Sequence, residues 1–297
     1  MPIELTPARP QRRFRSRPPL ALLAATLATA GCAATTAASA APSGNTHLNA
    51  APAATCAVSV VAAGDMNQLS DTQATGRLAQ AQHPDVVATL GDQQYPAGSL
   101  ADYRRAYGST DWGQLKSRTR PVPGNHEYRT PGASGYFTYF GGPPRYYGYD
   151  LGCGWRGYAL NSEVDVASQA RWLKQDLAAH PGVEVLAYWH RPRYSSGVEH
   201  GPDPAMQPFW DALASRHGVV LNGHEHNYER FAPRGGMQEF VVGTGGSASY
   251  PFRSPLTPGS AKAIPHTPGV LTLSLSPGAY TWRFLATGGS VRDSGRG

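Results

Sequence analysis

The stretch Val86-Val87-Ala88-Thr89-Leu90-Gly91-Asp92-Gln93-Gln94-Tyr95 joins an apolar run to a polar turn. The run Val86–Leu90 is bounded by a Gly-Asp pair, as a buried strand should be. The same pattern occurs earlier, where Val58–Ala63 leads into Gly64-Asp65. Between the two runs, Ser70–Ala81 opens on a helix start signal. The region therefore predicts a strand, a helix and a second strand.

Strands and helices continue to alternate until about residue 240, after which the pattern indicates strands alone. Two more helices are predicted over Ser99–Tyr107 and Ser168–Ala179. The other predicted strands are Val183–Trp189, Val219–Leu221, Phe240–Val242, Val270–Leu275 and Tyr280–Leu285. This order is typical of a mixed α/β protein with two packed sheets. Because the composition is even from residue 56 onward, residues 56–297 are predicted to form a single domain.

The first 40 residues have the pattern of a secretory signal peptide. Five arginines and one acid precede an apolar run from Leu20 to Ala30, and the segment ends in Ala38-Ser39-Ala40. The run is shorter than the about 20 residues that span a bilayer, so no transmembrane segment is predicted. We expect residues 1–40 to be removed, residues 41–55 to form a flexible lead-in, and the protein to be secreted. A lipid anchor on Cys32 is the less favoured alternative.

The positive charge of the chain is concentrated in this leader. The leader contributes five positive charges and one negative charge, so its removal lowers the formal net charge from +6 to +2. The charge of the remaining chain therefore gives no case for nucleic-acid binding, which would need a clustered basic face. Two cysteines remain, Cys56 and Cys153, which are too few for a cysteine-based zinc site. They form one disulfide or stay free and buried, and the sequence leaves both options open.

Polar side chains follow five of the extended runs, at the point where each run ends. The corresponding motifs are Gly-Asp, Gly-Asp-x-x-Tyr, Gly-Asn-His-Glu, a single His and Gly-His-x-His. Ligands of α/β sheets bind at the carboxyl ends of strands, so we expect these side chains to converge. The candidate metal ligands are Asp65, Asp92, Tyr95, Asn125 and three or four imidazoles, among them His190, His224 and His226.

The donor types indicate which metals would bind. Carboxylates, an amide oxygen, a phenol and imidazoles, without thiolates, favour iron, zinc or manganese. Calcium and magnesium prefer more carboxylates and fewer imidazoles. Seven donors are too many for one tetrahedral ion. The set therefore predicts two ions that share a bridging carboxylate.

The ordered set of motifs resembles the metallophosphoesterase (calcineurin-like phosphoesterase) superfamily, and specifically its purple acid phosphatase branch. The resemblance extends from Gly64 to the closing Asp293-Ser294-Gly295. Most of the superfamily has Asp-x-His as its first motif, whereas this chain has Asp65-Met66-Asn67. Purple acid phosphatases also lack that histidine and use the tyrosine of Gly-Asp-x-x-Tyr, here Tyr95. The resemblance implies a four-layer α/β/β/α sandwich of two mixed sheets flanked by helices.

The resemblance also implies a role for each predicted ligand. The first metal would be bound by Asp65, Tyr95 and His226, the second by Asn125, His190 and His224, with Asp92 bridging both. In the family the first ion is iron(III) and the second is iron(II), zinc or manganese. A metal-bound hydroxide would attack the phosphorus of a small phosphate monoester in line with the leaving oxygen.

Four further residues are predicted to assist. His126 is expected to bind the phosphoryl oxygens. His200 is expected to protonate the leaving alkoxide, with a solvated loop histidine as the open alternative. Glu127 and Glu225 are expected to orient the ligating imidazoles rather than to bind metal.

Two other functions remain open. A phosphodiesterase or nucleotide hydrolase would use the same metal centre, and pocket width would decide between these substrates. A secreted protein that binds metal or phosphate without turnover is less favoured, because Asp92 and His126 are both present. A serine hydrolase is disfavoured because no Gly-x-Ser-x-Gly occurs. The substrate, the second metal and the oligomeric state are not determined by the sequence.

Overall fold

The computed structural model describes residues 56–67 and 69–297. The predicted signal peptide, the lead-in over residues 41–55 and Cys32 all lie outside the described residues. None of the helices in the described part is both long and apolar enough to cross a membrane.

The strands of the described residues follow one another in this order: β1 (Val58–Ala63), β2 (Val86–Thr89), β3 (Tyr147–Gly152), β4 (Trp155–Ala159), β5 (Glu184–Tyr188), β6 (Gly218–Asn222), β7 (Tyr228–Phe231), β8 (Met237–Val242), β9 (Ser260–Ile264), β10 (Gly269–Ser276), β11 (Ala279–Ala286) and β12 (Val291–Arg296). The α-helices are α1 (Leu69–Ala81), α2 (Leu100–Arg105), α3 (Asp111–Gln114), α4 (Ser134–Tyr139), α5 (Val166–Ala179) and α6 (Gln207–Leu213).

The strands form two mixed sheets. The smaller sheet has the order β12-β11-β10-β1-β2, in which only β1 and β2 are parallel. The larger sheet has the order β3-β4-β5-β6-β8-β7-β9, with parallel pairing from β4 through β8 and antiparallel pairing at both edges. Mixed pairing of this kind is common in large sheets that carry helices on their faces.

The two sheets pack face to face, and helices cover their outer faces. Alternate residues of β1 show the arrangement, since Val60 joins the core between the sheets and Val61 joins the core beneath α1 and α3. In β5, Leu186 likewise faces the other sheet, whereas Val185 packs beneath α5 and α6. The fold is therefore the predicted four-layer α/β/β/α sandwich of two mixed sheets.

The predicted elements are found with small changes at their ends. The predicted strand Phe240–Val242 is the second half of β8, and the predicted helix Ser99–Tyr107 is shorter, ending at Arg105 before a 3-10 turn. Sequence patterns missed β3, β4, β7, β9 and β12. The edge strand β12, with the sequence VRDSGR, is largely exposed and polar, so it carries no hydrophobic periodicity to detect.

One disulfide joins Cys56 to Cys153. It links the residues just before β1 to the turn between β3 and β4, 97 positions apart in sequence. Because β1 and β3 belong to different sheets, the bond connects the two sheets covalently. This resolves the choice that the sequence left open.

Candidate metal centre

The predicted site residues come from the carboxyl ends of strands in both sheets. Asp65 follows β1 and Asp92 follows β2 in the smaller sheet, while His190 follows β5 and His224 follows β6 in the larger one. Asn125 comes shortly after an extended segment in which Val122 forms an isolated parallel bridge. Packing of the two sheets brings these ends to one common edge.

Glycines allow the strand ends to approach one another closely. Gly91 has a φ of +88°, and a Cβ at this position would lie 2.5 Å from Nδ1 of His190. At Gly124, a Cβ would lie 2.3 Å from Oδ1 of Asp92. A larger residue at either position would displace a predicted ligand.

Three of the predicted ligands themselves have left-handed backbone conformations. The φ angles are 65° at Asp65, 49° at Asp92 and 71° at His224. Residues other than glycine rarely adopt such angles, and those that do cluster at functional sites. The fold therefore accepts local strain in order to direct these side chains.

One group of donors surrounds Tyr95. Its hydroxyl oxygen lies 3.2 Å from Nε2 of His226 and 3.3 Å from Oδ1 of Asp65. Nε2 of His226 lies 3.4 Å from the same Asp65 oxygen. Donor atoms that share one ion at about 2.0–2.2 Å lie roughly 3 Å apart, so the spacing suits a metal ion.

A second group of donors surrounds His190. Its Nε2 atom lies 3.1 Å from Oδ1 of Asn125 and 3.1 Å from Nδ1 of His224. Asp92 lies between the two groups, because its Oδ2 atom is 3.1 Å from the Tyr95 hydroxyl and 3.5 Å from Nε2 of His190. The division into two groups with a shared carboxylate is the arrangement that the resemblance implies.

Hydrogen bonds at the far side of two rings indicate that the inner ring nitrogens are placed to bind a cation. Nδ1 of His190 lies 2.8 Å from the carbonyl oxygen of Leu90, so Nδ1 must donate. In a neutral ring, the lone pair of Nε2 then faces the oxygens of Asn125 and Asp92, which are also acceptors. His226 is arranged in the same way, since its Nδ1 donates to a backbone carbonyl oxygen at 2.8 Å and its Nε2 faces Asp65. A metal ion would satisfy both sets of facing acceptors.

The electrostatics of the site favour positive charge at the same position. Burial by itself would lower the pKa of His190, but Asp92 and Asp65 raise it to about 10. Burial likewise works to raise the pKa of Asp92, yet His190 and His126 bring it down to about 2. Burial and the carboxylates of Asp65 and Asp92 raise the pKa of Tyr95 well above its usual range. A phenolate at Tyr95 therefore requires a strong Lewis acid beside it.

The predicted role of Glu127 and Glu225 was wrong. Within the part of the chain that the structure describes, neither carboxylate hydrogen-bonds to an imidazole. Glu127 instead accepts the backbone N–H groups of Asp92 at 2.9 Å and Gly124 at 2.7 Å, and so joins two loops of the site. Burial and Asp92 raise the pKa of Glu127 to about 8. Backbone carbonyl oxygens orient the imidazoles of His190 and His226 instead. A pattern of side chains in the sequence cannot reveal such partners.

His126 and His200 both lie at the rim of the site. The ring of His126 is 4.1 Å from that of Tyr95, between centroids, and its backbone N–H donates to Asp92 at 2.9 Å. The ring of His200 stacks on His224 with centroids 3.9 Å apart and an angle of 17°. Burial, followed by His226, lowers the pKa of His200. Each histidine is thus adjacent to one of the two donor groups.

Two further site residues escaped sequence reasoning. Arg191 donates to both oxygens of Glu163 at 2.9–3.2 Å and lies 3.2 Å from Nε2 of His224. Its position next to His190 in sequence could have identified it. Tyr250 stacks on His226 with centroids 4.1 Å apart. It lies 24 positions along the chain in a loop, so no local pattern marks it.

The calcineurin-like phosphoesterase family model matches residues 58–228. This chain therefore belongs to that family, and membership implies hydrolase activity on phosphate esters. The family and the donor geometry together indicate a dinuclear metal site. No curated protein sequence matches the chain significantly.

Solved structures share the fold at low sequence identity. A purple acid phosphatase, PPD1, from yellow lupin seeds has a TM-score of 0.71 and 18% identity over 82% of this chain and 54% of its own. GAP50 of Plasmodium has a TM-score of 0.64 and 13% identity over 81% and 88%. A dimetal phosphatase from Danio rerio has a TM-score of 0.54 and 14% identity over 80% and 98%. The match thus spans about half the length of the lupin enzyme.

Replacement of Asp92 by Ala is expected to release both metal ions, because its carboxylate lies between the two donor groups. Replacement of His190 by Ala removes a donor from one group only and should leave one ion bound. Elemental analysis of purified variants measures the stoichiometry. Full metal occupancy in Asp92→Ala would show that this residue does not bridge.

Proposed function

We propose that this chain is an exported acid phosphatase that hydrolyses phosphate monoesters at a dinuclear metal centre. The observation that carries the proposal is the pair of donor groups about Tyr95 and His190, with the Asp92 carboxylate between them. The predicted signal peptide supports export. The shared fold with a purple acid phosphatase agrees with the proposal.

The chain's own residues would hold the metals as the resemblance implies. Asp65, Tyr95 and His226 would hold the first ion, Asn125, His190 and His224 would hold the second, and the Asp92 carboxylate would be shared. Anionic oxygen donors in the first group favour iron(III), and the nitrogen-rich second group suits iron(II), zinc or manganese. When bound, the two ions supply an activated water nucleophile and neutralise charge on the phosphoryl group.

His126 would bind a phosphoryl oxygen of the substrate. Its Nδ1 atom lies 2.7 Å from the carbonyl oxygen of Pro96 and must donate to it. That bond fixes the ring and leaves Nε2 on the side of the site, 3.9 Å from Asp92. Nε2 is therefore the ring atom that would contact a phosphoryl oxygen.

His200 would protonate the leaving oxygen. Neither of its ring nitrogens hydrogen-bonds to another described residue, so both are free for a ligand. The imidazole lines a cavity of about 360 Å³ that also includes His224. A leaving group in this cavity would place its oxygen between the second donor group and the His200 ring.

The charges around this cavity favour an uncharged leaving alcohol. Arg191 is already paired with Glu163, whereas Glu199 and Asp203 line the cavity and form no salt bridge with any residue of 56–67 or 69–297. Two carboxylates would repel the second phosphate of a nucleotide and could accept hydrogen bonds from hydroxyl groups. This favours monoesters of polar alcohols over nucleotide hydrolysis.

Activity on glycerol phosphate and a nitrophenyl monoester is expected after loading with iron and zinc, with lower activity on a bis-nitrophenyl diester and on a nucleoside triphosphate. The reason is the acidic, polar lining of the cavity. Ratios of kcat/KM among the four substrates provide the measurement. A preference for the diester would favour the phosphodiesterase alternative, and no turnover on any substrate would favour a binding protein.

Purified protein loaded with iron is expected to be coloured, because a phenolate bound to iron(III) gives charge-transfer absorption. Tyr95→Phe removes only the hydroxyl group and should abolish the visible band. Absorption spectra and iron content of both proteins test this together. Iron-loaded wild type without a visible band would contradict the assignment of Tyr95.

His200→Ala is expected to reduce hydrolysis of alkyl phosphates by roughly 10²-fold, the usual scale of general acid catalysis. Nitrophenyl phosphate should lose little rate, because nitrophenolate departs without protonation. The measurement is the ratio of the two kcat values in the variant and in wild type. His83→Asn is the matched control, since His83 is exposed and precedes β2 at the end opposite Asp92. Equal losses on both esters would assign His200 to phosphate binding or loop support.

A further inference from the structure

Three buried glutamates hold the backbone of the loop that carries His200. Glu239 on β8 accepts from the N–H of Tyr194, and Glu229 on β7 accepts from the N–H of Ser196 at 2.7 Å. Glu225 accepts from the N–H groups of His200, at 2.8 Å, and of Gly201. All three carboxylates come from residues with no exposed surface.

Glu225 lies between two predicted metal ligands in sequence but does not face the metals. Its neighbours, His224 and His226, belong to the two donor groups. The Glu225 carboxylate instead lies against Gly197, where a Cβ would come within 2.1 Å of it. The motif Gly-His-Glu-His therefore serves two structures at once, the metal centre and the loop above it.

Of the three glutamates, only Glu225 hydrogen-bonds to the backbone near His200. Residues 196–198 are held from the other side as well, since the N–H of Val198 donates to Pro251 and the N–H of Arg253 donates to Ser196. The Arg253 side chain also donates to the carbonyl oxygen of Gly197 at 2.9 Å. For the N–H groups of His200 and Gly201, the described residues offer only the Glu225 carboxylate.

We infer that Glu225 is a positioning residue, which fixes the His200 imidazole over His224 by binding the backbone on which it is carried. The inference rests on the proposed function in one respect, the role of His200 in protonating the leaving group. The His200 ring stacks on His224 at 3.9 Å, so a small shift of its backbone would move the ring away from the leaving oxygen.

One oxygen of Glu225 performs this function, which makes a conservative variant informative. Both N–H groups donate to Oε1, whereas Oε2 is buried without a hydrogen-bond partner in the described structure. Glu225→Gln keeps a carbonyl oxygen that can accept both bonds, and Glu225→Ala removes the acceptor. Gly197→Ala keeps the glutamate but displaces its carboxylate sterically.

The test compares an alkyl phosphate with nitrophenyl phosphate in each variant. Glu225→Ala and Gly197→Ala should lower kcat on the alkyl ester by about tenfold or more and change kcat on the nitrophenyl ester little. Glu225→Gln should restore most of the alkyl activity. Combined with His200→Ala, Glu225→Ala should add no further loss, because both act on one step.

Glu239→Ala is the matched control, since it removes an equally buried carboxylate that holds the same loop at Tyr194. It should leave the ratio of the two esters unchanged. Metal content is measured in every variant. Loss of metal together with equal losses on both esters in Glu225→Ala would overturn the inference, because Glu225 would then act through its histidine neighbours.

Amide hydrogen exchange separates this inference from the proposed function. Glu225→Ala should accelerate exchange at His200 and Gly201 in the intact protein, and Glu239→Ala should not. Exchange rates can be measured even if the wild type hydrolyses neither ester. Absence of hydrolysis would count against the proposed function but not against the positioning role of Glu225. Unchanged exchange at both amides in Glu225→Ala would overturn the positioning role.

Discussion

Two carboxylates, those of Asp65 and Asp92, lie buried between the carboxyl ends of the two sheets, and much of the surrounding structure serves to keep them there. A buried carboxylate is costly unless it is hydrogen-bonded and faces a cation. Backbone N–H groups of His224 and His126 supply the first requirement at 2.9 Å each. The second requirement, a facing cation, could be met by a metal ion between the donor atoms whose lone pairs face one another. The site is therefore built around charge that metal ions would neutralise.

Several features of the scaffold support this arrangement. Left-handed backbone at Asp65, Asp92 and His224 sets the directions of the side chains, and glycines allow the loops to approach. Glu127, which has no exposed surface, ties the loop after β2 to the segment before Asn125 through backbone N–H groups. Contacts of this kind preorganise a site, because the supporting hydrogen bonds hold the ligands in place before any ion or substrate arrives.

The two histidines at the rim of the site each lie beside a different group of metal donors. His126 lies over Tyr95 in the first group, and His200 lies over His224 in the second. The two histidines are supported differently, since a backbone carbonyl fixes the ring of His126 and a buried carboxylate fixes the backbone of His200. Binding the phosphoryl group and releasing the alcohol would therefore depend on separate parts of the fold. Changes in the loop over residues 193–201 could alter the choice of leaving group without disturbing the metals.

The sequence by itself determined the fold class and the family, and it predicted a set of donor residues that the fold brings close together. Each of these follows from a local pattern, in which an apolar run ends in Gly-Asp, Gly-Asn-His or Gly-His-x-His. The carboxyl ends of such runs come together when the sheets pack. Tertiary structure decided what those patterns do not encode. The partners of Glu127 and Glu225 are backbone amides, which every residue possesses, so sequence offers no means of choosing among them. Tyr250 and the bond between Cys56 and Cys153 depend on loops and sheets that meet only after the chain has folded. Edge strands such as β12 are polar and exposed, and their pairing is fixed by a neighbouring strand rather than by their own composition.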